Sequence, residues 1–204
     1  MRFRDAWLCL VVALVAVPPS AAQTGESQRR PPPANYYPLQ VGNKWHYRVV
    51  ANGVNGNCYI HLAAIDEIAG IKAGRLEAVL NGNTVATEHV GQTAEGVFRY
   101  RNNGVDISPP FCMLKYPPKD GDKWEGQFNA GGMVGKFQCQ AHEVEVEVPA
   151  GKFKAVRIDM KVQEGGTSAT TSYWFADGVG MVRQTIEIPN LNILMELERF
   201  EPKK

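Results

Sequence analysis

The chain has 204 residues, 22 basic and 21 acidic side chains and a formal net charge of +1. That balance offers no electrostatic handle for nucleic acid or an anionic membrane surface. Its four cysteines include no Cys-x-x-Cys pair and no zinc-type spacing, which sets aside dithiol redox chemistry and a structural zinc site.

The chain opens with Arg2 and Arg4, runs apolar from Ala6 to Val17, breaks at Pro18 and Pro19, and reaches the small residues Ser20 to Ala22. This pattern predicts a removable signal peptide over 1–22, cut before Gln23. An apolar run from Ala6 to Val17 is too short for a membrane span, which needs about 20 residues. Cys9 follows Leu8 inside the apolar run, where no lipid-attachment cysteine belongs. Cleavage removes Arg2, Arg4 and Asp5, leaving equal numbers of basic and acidic groups in a chain expected in the periplasm or outside the cell. No later segment is apolar enough to predict a transmembrane helix. Residues 23–35, with Arg29, Arg30 and Pro31 to Pro33, predict a flexible proline-rich leader.

From Tyr36 the chain is punctuated by Asn52-Gly53, Asn55-Gly56, Asn81-Gly82, Glu95-Gly96, Asn103-Gly104, Gly131-Gly132, Gly165-Gly166 and Asp177-Gly178. The segments between them are of strand length and alternate with period two. Trp45, Tyr47 and Val49 alternate with His46 and Arg48; Leu76, Ala78 and Leu80 with Arg75 and Glu77; Val144, Val146 and Val148 with Glu143, Glu145 and Glu147. Such a chain predicts an all-β protein: a curved, largely antiparallel sheet or half-open barrel of about eleven strands joined by short hairpins.

Asn102 to Asp122 contains Pro109, Pro110, Pro117 and Pro118, and proline cannot donate to a ladder. The segment is therefore expected outside the central sheet, as a crossover whose Phe111, Met113, Leu114 and Tyr116 fold back as an apolar plug. It coincides with a weak self-similarity. Tyr37, Pro38, Gly42, Lys44 and Trp45 match Tyr116, Pro117, Gly121, Lys123 and Trp124; Ala73, Gly74, Ala78 and Val79 match Ala150, Gly151, Ala155 and Val156; Ala94 to Val97 match Ala176 to Val179. The matches predict one β domain, 36–204, made of two similar halves, 36–101 and 115–200, joined by the crossover. Both Ala-Gly pairs read as hairpin turns. Trp174 is flanked by Tyr173 and Phe175, so both faces of its strand are apolar and something is expected to cover the outer one.

Chemistry-bearing patterns are sparse. His46, His61, His89 and His142 show no metal-ligand spacing, and Glu143, Glu145 and Glu147 read as a solvated face. Ser108, Ser168 and Ser172 lie outside any nucleophile elbow. Catalytic residues, cofactor and metal are thus each assigned as none, and an enzyme role is left open. Cys58, Cys112 and Cys139 allow one bridge and one thiol, or none, with the three pairings undecided.

On four segments the chain resembles a family of uncharacterised exported bacterial proteins classed under a domain of unknown function. These are Tyr-Pro-Leu-x-x-Gly-Asn-Lys-Trp at Tyr37 to Trp45, Leu-Lys-Tyr-Pro-Pro-Lys-x-Gly-Asp-Lys-Trp at Leu114 to Trp124, Val-Pro-Ala-Gly-Lys-Phe-Lys-Ala-Val at Val148 to Val156, and Tyr-Trp-Phe-Ala-Asp-Gly-Val-Gly-Met-Val at Tyr173 to Val182. The resemblance implies a curved sheet or half-open barrel like that of periplasmic lipoprotein and lipid carriers, and no catalytic residues. The expected function is non-catalytic binding of an apolar or amphipathic ligand, a lipid for instance, or of a partner segment in the cell envelope, with Phe111, Met113, Leu114, Tyr116 and Trp174 as the candidate ligand or plug region. The rivals are an assembly protein docking envelope partners through edge strands, and an envelope hydrolase.

Overall fold

β-Branched and aromatic runs between two-residue turns fold into twelve strands in the computed structural model, which describes residues 34–203. The expected signal peptide and nearly all of the leader lie outside the described residues. In chain order the strands are β1 (Lys44–Ala51), β2 (Val54–Ile68), β3 (Ile71–Leu80), β4 (Asn83–Gln92), β5 (Gly96–Asn102), β6 (Val105–Lys115), β7 (Lys123–Ala130), β8 (Met133–Val148), β9 (Gly151–Glu164), β10 (Thr167–Ala176), β11 (Gly180–Ile188) and β12 (Leu191–Glu201). Each pairs antiparallel with its sequence neighbours, and β12 returns to β1 from Lys44↔Glu201 to Ala51↔Ile193. The sheet is therefore a closed barrel, one strand larger than the pattern predicts.

β6 corrects the expectation that Asn102 to Asp122 lies outside the sheet. Pro109 and Pro110 sit in a bulge between the pairs Arg101↔Asp106 and Arg99↔Phe111, where β5 asks nothing of their missing N–H groups. On the other side β6 meets β7 only at Ile107↔Ala130 and Ser108↔Asn129. Below that point the seam is bridged by the Trp124 indole, which donates to the Cys112 carbonyl at 3.1 Å. Asn55-Gly56 likewise makes no turn; it lies inside β2, opposite Val50 and Val49, because Asn52-Gly53 has already reversed the chain.

Inward side chains fill the barrel at mid-height and below: Tyr47, Leu62, Leu76, Met113, Leu114, Ile158, Met160 and Phe175 are fully buried. Phe111 packs on Phe137 and Phe128 at ring separations of 4.4 and 5.6 Å. Gly126 pairs with Phe137, and Gly135 with Phe128. A β-carbon on either glycine would overlap the phenyl ring that covers it, so each glycine makes room for the opposite strand's aromatic.

Two hairpins outrun the barrel and bend back over its outer wall. In β8, Phe137, Cys139 and Ala141 point inward, so Val144, Val146 and Val148 share the outward face with His142. Val146 and Val148 are nevertheless buried, and the hairpin end is held by Ala150 N donating to Leu197 O (2.9 Å) and Arg183 to Glu147 O (2.7 Å). Trp174, on the outer face of β10, is half-buried with the Arg183 guanidinium over its ring, and Arg183 is also the side chain that bonds the hairpin end. The β2–β3 end bends back over β5, burying Ile68, Ala73 and Tyr100 beside Phe98. Glu143, Glu145 and Glu147 point to solvent, as expected.

The two matched segments leading to Trp45 and Trp124 share one local device. Gly42 N donates to Leu62 O and Leu62 N to Asn43 O, while Gly121 N donates to Ala141 O and Ala141 N to Asp122 O, all at 2.9 to 3.0 Å. Both turns lead into eight-residue strands opening Lys-Trp, β1 and β7. The second matched pair behaves differently. Ala150-Gly151 closes a hairpin as expected, but Ala73-Gly74 lies within β3, three residues beyond the Ala69-Gly70 turn.

Candidate functional site

The residues expected to form a plug or apolar site do not come together. Phe111, Met113 and Leu114 are core side chains of β6, and Trp174 lies on the outer wall with the Arg183 guanidinium 5.6 Å from its ring. Tyr116 alone lines a cleft, because the chain leaves the barrel just after Lys115.

That cleft, at the lower end of the barrel, has a volume of about 1010 Å³. Four separate segments make it: the lead-in at Ala34 to Leu39, the β2–β3 end with Ile65 and Lys72, the β4–β5 turn at Gln92 to Ala94, and Tyr116 to Pro118. Tyr36, Leu39, Ile65, Tyr116, Pro117 and Pro118 give it apolar walls, and Lys72 is its single charged lining residue. Tyr36 and Tyr116 face each other at 6.2 Å between ring centres. The Tyr116 hydroxyl is buried without a hydrogen-bond partner, and burial pushes its pKa up to about 12, so it stays a neutral donor. Sequence reasoning missed the lead-in and turn residues. The one available signal was Tyr36-Tyr37-Pro38-Leu39, unusually apolar for a segment before the first strand.

A second polar feature lies inside the barrel. Arg99 donates to Glu88 at 2.7 Å and to the Tyr173 hydroxyl at 3.4 Å. Burial alone would depress the guanidinium pKa; the Glu88 carboxylate and Tyr173 more than offset it and keep Arg99 charged. Nearby, Tyr47 donates to Met181 O (2.8 Å) and Trp45 to Val179 O (2.6 Å), so these two ring donors in the core are satisfied.

The histidines serve the wall. Ser172 donates to Asp159 at 2.7 Å, and His142 Nε2 lies 3.4 Å from the same carboxylate. The order is serine, carboxylate, histidine, so the imidazole is not placed to take the hydroxyl proton. Buried His89 meets Asp66 at 2.8 Å, joining β4 to the bent-back β2–β3 end. Among the described residues no three His, Cys, Asp or Glu side chains converge to hold a metal ion. Cys58, Cys112 and Cys139 are unbridged, and burial pushes the first two up to about 11 and Cys139 higher still. All three are poor nucleophiles near neutral pH.

The Asp66–His89 contact gives a pH signature. The hydrogen bond from His89, and then Arg75, hold the Asp66 carboxyl below its ordinary 3.8. A lowered carboxyl pKa contributes stability above the unfolded value and loses it as pH falls through the folded one. Asp66→Asn is therefore expected to melt a few degrees below the parent at neutral pH, with the gap closing in acid below 3.8. Paired melting curves across that range check it; a gap that widens in acid contradicts the assignment.

The fold and cleft define a class: a twelve-stranded antiparallel meander barrel with two folded-back hairpins and an apolar cleft at one end. No family model matches the chain, and no curated protein matches it. Among solved structures it is similar to a "putative lipoprotein" from Parabacteroides distasonis ATCC 8503, with a TM-score of 0.50 and 12% identity over 82% of this chain and 99% of that one. It is also similar to a "putative exported protein with YmcC-like fold" from Bacteroides fragilis NCTC 9343, with a TM-score of 0.47 and 15% identity over 83% and 100%. The first likeness shows a shared fold.

Proposed function

We propose that this is an exported, non-catalytic binding protein of the cell envelope whose lower cleft takes an apolar or amphipathic ligand. The observation that carries the reading is the cleft itself: about 1010 Å³, walled by tyrosine, leucine, isoleucine and proline, with one lysine at its margin. Export is supported by the signal-like first 22 residues and by the description given to the Parabacteroides neighbour. The repeated Gly42 and Gly121 turns and the two folded-back hairpins support an origin by duplication of a six-stranded half.

Two probes test the cleft, dansyl-undecanoic acid as an anionic amphiphile and N-phenyl-1-naphthylamine as a neutral apolar one. Both are expected to bind saturably, and Leu39→Asp or Ile65→Asp to weaken both by about tenfold. Lys72→Ala should weaken only the acid. Absence of saturable binding, or binding indifferent to Leu39 and Ile65, overturns the reading. Docking through strand edges has less support, because ring closure uses both sides of every strand except along the β6–β7 seam.

A further inference from the structure

The upper end of the barrel, opposite the cleft, carries six of the nine large apolar side chains that stand exposed among the described residues. Val54 is 71% exposed, Val134 61%, Val85 57% and Met133 54%, with Val105 and Leu80 beside them. They come from four successive hairpin tips. The tips adjoin: a β-carbon on Gly131 would lie 3.3 Å from Val105, and one on Gly165 would lie 3.5 Å from the Met133 sulfur. At the same tip as Val54, Asn52 exchanges hydrogen bonds with Asn192 at the start of β12, at 2.8 and 2.9 Å.

Charge separates the two ends. The six upper turns contain only Asn, Gly and Pro, and of the residues directly flanking them only Glu164 is charged. The lower turns carry Glu95, Lys119, Asp120, Asp122 and Asp177. Strand register adds a gradient. Val54, Leu80, Val105 and Met133 share the inward face of their strands with Cys58, Ala78, Ile107 and Phe137, so exposure falls step by step from the rim to the buried core.

We propose that this rim is a lipid-contact surface that seats the barrel mouth on an uncharged bilayer. Adjoining tips offer a laterally extended apolar rim, and a bilayer is laterally continuous. Valine and methionine gain by leaving water, and the rim has almost no charged group to desolvate there. The Asn-Gly and Gly-Gly turns add only uncharged polar groups to the rim. A compact protein partner would instead favour charged pairs at its border, and the residues directly flanking these turns offer only Glu164. The surface is separate from the ligand cleft and stands or falls without it.

The test is co-sedimentation of the purified full-length exported protein with vesicles of palmitoyl-oleoyl phosphatidylcholine. Partitioning is expected, and it should survive high salt because no charge pairing drives it. The double variant Met133→Asp/Val134→Asp, and separately Val54→Asp, should reduce the partition coefficient about tenfold or more. Val41→Asp, an exposed apolar site at the lower end, should leave it unchanged. Far-ultraviolet dichroism and melting temperature establish that each variant is folded. The proposal is overturned if the parent stays in the supernatant, or if the rim aspartates leave its partition unaltered. It is equally overturned if the parent is a dimer that Met133→Asp/Val134→Asp splits while neither form binds vesicles, which would make the rim a contact between two copies of this chain.

Discussion

Gly96→Ala is expected to be the most damaging single-methyl addition in the barrel, lowering stability by about 3–5 kcal/mol. Gly96 opens β5 opposite Lys115 with φ at +153°, and a β-carbon there would overlap the Leu114 carbonyl oxygen. The obstacle is backbone, which no rotamer change can move aside, and Leu114 is itself fully buried. Gly53→Ala is the control. Its φ of +82° is also left-handed, but nothing lies within 4 Å, so only the conformational cost of about 1–2 kcal/mol applies. Thermal melts should show Gly96→Ala falling by roughly 10 °C or more and Gly53→Ala by less than half as much. Equal losses would mean that the β5 start yields easily and the close approach to Leu114 is not what fixes it.

Glu88→Met should cost about 3 kcal/mol, because it strands the Arg99 charge inside the barrel with only the Tyr173 hydroxyl to answer it. Both side chains are mostly covered, Glu88 at 23% and Arg99 at 19% exposure. Much of that loss is the burden of an unpaired charge, so the double variant Glu88→Met/Arg99→Met should recover most of it. The melting temperature of the single variant should fall by roughly 10 °C and that of the double by a few degrees. A single variant as stable as the parent would mean that water reaches Arg99 freely from the upper mouth.

These two residues illustrate which features could be read from the chain and which could not. Alternation and Asn-Gly or Gly-Gly punctuation predicted about eleven strands against the twelve observed, because both signals are local. β6 escaped because prolines forbid a ladder bond only where a neighbour requires one, and whether β5 and β7 require it depends on register. Closure rests on β1 meeting β12, the two strands farthest apart in sequence, and no nearby residue announces that meeting. The cleft has the same character. Its walls come from four segments spread between Ala34 and Pro118, and only Tyr116 stood out, through its apolar neighbours. Trp174 turns its outer face to Arg183, and the valine face of β8 is covered, as its alternation predicts. That Arg183 also ties down the β8–β9 hairpin end emerges only once that hairpin bends back. The Glu88–Arg99 pair is a cross-strand contact between two residues that look, one strand at a time, like ordinary surface charges.

A ring in which every strand touches only its predecessor and successor, and the last touches the first, is topologically a circle. Lys203 N donates to Asn43 Oδ1 at 2.8 Å, so the two ends of the described barrel already lie side by side. Splicing them and severing the chain at an upper turn such as Pro189-Asn190 would preserve every neighbour relationship in the wall. The wall itself thus sets no preferred point at which the chain must begin.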